Sequence, residues 1–182
     1  MKKIYALIFS LATLIVAADQ WTKNIALEAL QTQGRSIPWF DGFHFTLVYN
    51  YGAAFGMLND LGEGVRTVFF LSLPLFVLGI LWWTYIRKFK VTERLGPVAM
   101  GLVVGGALGN FIDRVRFGYV VDFIDWFYKT EGSSCIPLFF FISPNTCHWP
   151  VFNIADSAIS VAMVLLIGHS FLTNNNQKAQ KV

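Results

Sequence analysis

Residues 151–173 read VFNIADSAISVAMVLLIGHSFLT, and this run from Val151 to Thr173 holds one charge, Asp156. About twenty apolar residues suffice to cross a hydrocarbon core roughly 30 Å thick. A carboxylate inside such a run is costly, and groups of this kind usually carry function. Counted from Val151, Asp156 lies about 7 Å down a helix. Asn153, Asp156, Ser157 and Ser160 fall on one face by the i, i+3, i+4 rule. The run therefore reads as a membrane span with a polar stripe near one end. Two plainer readings stand beside it: a helix-terminal cap, and a polar contact between helices.

The rest of the chain supports a membrane class. Of 182 residues, 55% are hydrophobic and only 14% charged. A soluble domain is nearer a quarter charged. Three further spans are expected, at about 4–22, 67–86 and 95–112. The first follows Lys2 and Lys3 and resembles a secretory signal peptide with small residues at Ala17 and Ala18. The later spans make a separate export signal unnecessary, so an uncleaved helix from Ile4 to Thr22 is expected. Pro74 inside the second span is tolerable in lipid, where Ser72 and neighbouring helices can satisfy the freed backbone.

Basic residues set the orientation. Lys2 and Lys3, then Arg87, Lys88, Lys90 and Arg94, then Lys178 and Lys181 flank the ends that belong on the cytoplasmic side. Both termini are then inside, and the longer loops, about 23–66 and 113–150, face outward. Residues 1–182 read as one integral-membrane domain. The net charge of +3 is not clustered, which argues against a nucleic-acid partner. Cys135 and Cys147 form no CxxC pattern, and no His or Cys cluster has metal spacing.

The outer loops carry structure of their own. Ser36 to Phe40, Asp41-Gly42 and Phe43 to Asn50 predict a hairpin. Asp-Gly is a strong turn signal, and Phe43, Phe45, Leu47 and Tyr49 alternate with period two. Their apolar face is expected to rest on the bilayer surface. Gly52 to Leu58 is expected as a short interfacial helix, and Ile136 to Ile142 as a surface dip or packed loop.

Gly101, Gly105 and Gly109 recur every four residues, the spacing of close helix packing. Asn110, Asp113 and Arg114 follow on one face. Asp113 and Arg114 read either as an interfacial ion pair or as groups that hold an extended substrate backbone. Gly118 allows a turn back towards the membrane. Asp122 is then flanked by Val120, Val121, Phe123 and Ile124, and desolvation there should raise its pKa. Asp125, beside Trp126, reads as a solvated loop charge. Asp19 and Lys23, four apart, read as a local ion pair. His44, His148 and His169 are scattered.

Two acids near one membrane face, with no Ser-His, Cys-His or metal set, suggest a dyad that shares one proton. Close carboxylates do not both ionise readily, so the site divides its own roles. The proton belongs to the pair. Asp122 and Asp156 are the expected pair, with Asp19, Asp113 and Asp125 as competing partners. A transporter or proton relay is the rival class. It is disfavoured because the polar residues crowd at the outer ends and no internal repeat is evident. A purely structural anchor leaves the stripe around Asp156 unexplained.

Five ordered blocks now acquire a family. They are Asp19-Gln20-Trp-Thr-Lys23, Asn50-Tyr-Gly52-Ala-Ala-Phe55, Gly105 to Arg114, Val121-Asp122-Phe123 and Phe152-Asn153-Ile-Ala155-Asp156-Ser157. The chain closely resembles lipoprotein signal peptidase (signal peptidase II), and the blocks run from the first span to the fourth. The resemblance implies a mainly α membrane protein of four transmembrane helices, with a small periplasmic β-sheet cradle and a short helix over the site. It implies an aspartic endopeptidase of the bacterial inner membrane that cuts diacylglyceryl-modified prolipoproteins just before the lipidated cysteine. Asp122 and Asp156 map onto the catalytic aspartates. Asn50, Gly52, Asn110, Arg114 and Asn153 map onto substrate-binding positions, and Asp19, Lys23, Asp113, Ala155 and Ser157 onto supporting ones. Globomycin is the family's inhibitor. The expected partners are lipidated substrates and membrane phospholipid, with a monomeric enzyme and no cofactor, because activated water is the nucleophile. One departure is the segment between Asp125 and Phe152, longer than the family's usual connection. Its two cysteines could close a flap, or the segment could bind a partner.

Overall fold

The computed structural model describes residues 2–52, 95–129, 141–143 and 146–179, with scattered helical positions between 64 and 83. The second expected span and the Gly52–Leu58 helix therefore fall largely outside the described residues, as does most of Ile136–Ile142. Three long helices and a five-stranded antiparallel sheet make up the rest. The helices are α1 (Lys2–Leu30), α2 (Leu95–Phe117) and α3 (Ile154–Ala179). The strands are β1 (Ser36–Phe40), β2 (Phe43–Asn50), β3 (Val120–Lys129), β4 (Phe141–Ser143) and β5 (Thr146–His148), in sheet order β1-β2-β3-β5-β4.

Among the described residues, Lys3–Leu30 and Leu95–Phe117 are long and apolar enough to cross a membrane, and Ile154–Gly168 is a shorter apolar stretch. Helix α1 corrects the expected end at Thr22. Its 29 residues extend about 43 Å, well beyond a core of roughly 30 Å. The helix continues because the charges at the expected boundary are taken up inside the protein and the next turns have a face to bury. Asp19 and Lys23 are buried, and one turn further Ala26 and Leu30 pack against Leu47, Val121 and Phe123. Phe45 and Tyr49 flank that cluster. The inner half of the predicted alternating face thus covers the end of α1 and not the bilayer. Trp39 and Phe40 stay exposed, stacked on Phe45 and Phe43 with ring centroids 5.2 Å apart in each pair.

The hairpin forms where Asp41-Gly42 predicts it, with Ser36 opposite Thr46 and Phe40 opposite Phe43. Gly42 sits at φ 86°, a conformation in which a side chain is strained. Strand β3 follows the turn at Gly118 (φ 78°) and pairs with β2, placing Val48 opposite Asp122 and Asn50 opposite Val120. The glycines of α2 do what their spacing suggests. A Cβ on Gly105 would stand 2.7 Å from Ile15 Cβ, and one on Gly109 would stand 2.6 Å from an Asp19 carboxylate oxygen. Helix α1 therefore lies against α2 with no room between them.

Helix α3 begins at Ile154, not Val151 as expected. Residues ahead of it are drawn into the sheet instead: Phe152 bridges Ile124, its N–H donating to the Ile124 carbonyl at 3.1 Å. Cys147, fully buried, is disulfide-bonded. The chain's one other cysteine, Cys135, lies outside the described residues.

Candidate active site

Helix α3 starts with a reciprocal cap. Asn153 is its N-cap, and its side-chain Oδ1 accepts from the Asp156 backbone N–H at 2.9 Å. In return the Asp156 carboxylate accepts from the Asn153 backbone N–H at 3.3 Å. This is a capping box with aspartate in the third helical position. It uses one oxygen of Asp156 to start a helix and fixes where the other points. That other oxygen accepts from the Asn110 amide at 2.7 Å. Ser157 donates its hydroxyl to the Asn153 carbonyl at 2.9 Å.

The same Asn153 amide donates to Asp122 at 2.7 Å, and also lies 3.1 Å from Asn110 Oδ1 and 3.3 Å from the Val121 carbonyl. One residue therefore holds both acids, Asp122 by its side chain and Asp156 by its backbone. The second oxygen of Asp122 accepts from Asn50 at 3.0 Å. Asn50 cannot turn its amide round, because its Oδ1 accepts from the Gly52 N–H at 2.9 Å, and Gly52 at φ 82° makes that turn. Asp122 is 1% exposed. Burial, and then the neighbouring Asp156 charge, push its pKa up to about 7.

Behind the pair lies a buried cation. Lys23 is 2.8 Å from both Asp19 and Asp113 and donates to Asn110 Oδ1 at 3.0 Å. A lysine can only donate and a carboxylate can only accept. That fixes Asn110: its oxygen faces Lys23, so its NH2 must face Asp156. Asp19 also accepts from the Ala155 backbone N–H at 3.0 Å, tying α1 to the first turn of α3. Asp113 accepts from the Val121 N–H at 3.0 Å and from Gln20 at 2.7 Å, tying α2 to the strand that carries Asp122. The pair expected to be local, Asp19–Lys23, is thus one edge of a network joining three helices and β3. Arg114 Nη1 is 3.5 Å from the Asn110 carbonyl and lies within the fields of Asp156, Asp122 and Asp113. No buried side-chain polar atom among the described residues lacks a partner.

The competitors of the pair are accounted for. Asp19 and Asp113 belong to Lys23. Asp125 corrects its reading as a solvated charge: it is 4% exposed, accepts from Thr46 at 2.8 Å, and pairs with His148 Nδ1 at 2.8 Å. His148, read as scattered, was missed because its partner lies on another strand. All ten supporting and substrate-side residues predicted with the pair fall within this one region, where α1, the C-terminal end of α2 and the N-terminal end of α3 meet strands β2 and β3. The two carboxylates are thus brought to one place by a shared residue, Asn153.

Comparison with known proteins gives the same direction. Residues 11–172 match the family model described as signal peptidase (SPase) II. A lipoprotein signal peptidase of Geobacillus thermodenitrificans is 38% identical over 95% of this chain and 94% of its own. One from Alteromonas mediterranea is 36% identical over 94% and 83%. A solved structure titled as a bacterial membrane enzyme at 2.3 Å superposes with a TM-score of 0.70 at 30% identity, over 93% of this chain and 90% of the other. A second, at 1.9 Å, gives 0.66 at 32%, over 88% and 89%.

Proposed function

The chain belongs to the signal peptidase II family, and from that premise we propose how it cuts. It is an aspartic peptidase of the membrane that removes signal peptides from prolipoproteins. Asp122 and Asp156 hold the nucleophilic water between them. The ionised member takes a proton from the water while the protonated member donates to the scissile carbonyl oxygen. Hydroxide adds to the carbonyl carbon, the C–N bond breaks, and the leaving amine carries away a proton from the pair. The cut falls just before the diacylglyceryl-modified cysteine, and globomycin-type inhibitors compete for the same place. One observation carries this reading: Asn153 binds both carboxylates at once, by its amide and by its backbone N–H.

The other residues take graded roles. Asn110 and Asn153 are buried, so they serve the substrate through the acids they hold. Asn50 and Arg114 stand at the more open edge, where a guanidinium and an amide can bind an extended peptide backbone. Lys23 balances Asp19 and Asp113 so that the dyad sits beside a fixed positive charge. The chain is a single domain of four spans in the bacterial inner membrane, with both termini cytoplasmic and the site near the periplasmic face. It works as a monomer among phospholipids, taking its substrate laterally with the acyl chains still in the bilayer. Apolar α1 and α2, and the position of Asp156 in the first turn of α3 with Asp122 on the neighbouring strand, support that placement.

The test uses purified protein in lipid with a lipidated prolipoprotein. Asp122→Asn and Asp156→Asn should each lower cleavage by roughly 10³-fold or more while the protein still folds and binds globomycin. Wild-type rates in either variant would remove that residue from the mechanism. A lipid-free precursor should be cut poorly.

A further inference from the structure

The dyad draws one acid from β3 and the other from α3, so something must fix how far the chain entering α3 has advanced along β3. That chain is residues 146–152, which pairs antiparallel with β3 at both ends and carries one extra residue between Trp149 and Phe152. Thr146 faces Lys129, Cys147 faces Tyr128 and His148 faces Phe127. The Trp149 N–H donates to the Trp126 carbonyl at 2.8 Å, and Phe152 exchanges hydrogen bonds with Ile124 at 2.8 and 3.1 Å. Asn153 and Asp156 follow at once. A slip of one residue in this pairing would move the entry to α3 by about 3.3 Å and turn its side chains to the opposite face.

Backbone pairing alone chooses the register only weakly, since apart from Pro150, which lacks an N–H, every residue of the segment offers the same donor and acceptor. A polar side-chain pair with one member buried does choose, because any other register leaves the buried carboxylate without its partner. His148 and Asp125 form such a pair. Asp125 is two residues along β3 from His148's partner Phe127, the diagonal position on the same face. Its carboxylate accepts from His148 Nδ1 at 2.8 Å and from Thr46 of β2 at 2.8 Å. It therefore locks β2, β3 and the chain leading to α3 together. The His148 ring stacks on Phe127 with centroids 4.8 Å apart, which holds the donor in place.

We propose that Asp125 and His148 are positioning residues that set the register bringing Asp156 to Asp122. This rests on the reading of those two acids as the catalytic pair. Neither residue touches the substrate; both act through the placement of Asn153.

The experiment compares kcat and KM for a lipidated prolipoprotein in His148→Ala, His148→Asn and His148→Gln, with rates normalised to folded enzyme by globomycin binding. A dyad displaced by about 1 Å loses roughly 10²-fold in rate, so His148→Ala should lower kcat by that order and leave KM within about twofold. Asparagine places its amide where Nδ1 lies and should recover kcat; glutamine, one methylene longer, should not. If the alanine variant does not fold, the contrast between asparagine and glutamine decides. Asp125→Ala should lower kcat as far as His148→Ala, and the double variant no further. Wild-type kcat in His148→Ala, or equal kcat in the asparagine and glutamine variants, overturns the proposal. That failure differs from failure of the dyad itself, which would appear as cleavage by Asp122→Asn.

Discussion

Asn153 offers the sharpest separation of folding from chemistry. Its Oδ1 caps α3 at 2.9 Å, while its amide holds Asp122 at 2.7 Å. Replacing it with alanine removes both. A lost N-cap costs about 1 kcal/mol, and a lost hydrogen bond to a charged group about 2 kcal/mol. The total of about 3 kcal/mol should lower the melting temperature by roughly 6–12 °C at ~2–4 °C per kcal/mol. Serine keeps the cap but is too short to reach Asp122. Asn153→Ser should therefore recover about 1 kcal/mol, roughly 2–4 °C, and none of the rate. Both variants should cut about 10²-fold more slowly. The assay pairs tryptophan-fluorescence melting in detergent with initial rates on a lipidated prolipoprotein. A serine variant that regains both stability and rate would reduce Asn153 to a helix cap and refute its role in joining the acids.

Two further outcomes follow from the buried charges. Burial and the neighbouring Asp156 charge raise the Asp122 carboxyl to about 7 in the folded protein, against 3.8 for an ordinary aspartate, so the pair keeps a proton over that range. Between those values the folded state binds the extra proton, so its stability falls as pH rises. The singly protonated dyad is lost above the upper value, and cleavage should decline on the alkaline side with a midpoint near 7; a flat rate from pH 5 to 9 would contradict this. Lys23→Met leaves Asp19 and Asp113 buried without their cation, at a cost of about 3–5 kcal/mol, read as a fall in melting temperature or a loss of folded protein. An unchanged melting temperature would mean that the network is not energetically coupled.

How much of this could be read from residues alone depended on whether the signal was local. Asp156 was visible because a carboxylate in an apolar run has few explanations, and Asn153 because it stands three residues before it. The hairpin was visible in Asp41-Gly42. The length of α1 was not, since Asp19 and Lys23 look like a boundary until their partners on α2 and α3 are known. Strand β3 carries a usable signal, a ten-residue run rich in β-branched and aromatic residues after Gly118, interrupted by Asp122 and Asp125. Asp125 sits among exposed Trp126 and Tyr128. Its partner lies 23 residues on, and nothing in the intervening sequence sets the register.

The overhang of α1 has an architectural consequence. Because Ala26 and Leu30 bolt the sheet to the same rod whose lower part lies among the other helices, that rod acts as a ruler. Its length sets the height at which β3 offers Asp122. Removing one residue between Lys23 and Ala26 would lower the sheet by about 1.5 Å and swing its anchoring side through about 100°. The two acids would then stand at different altitudes, with every one of their own contacts still encoded.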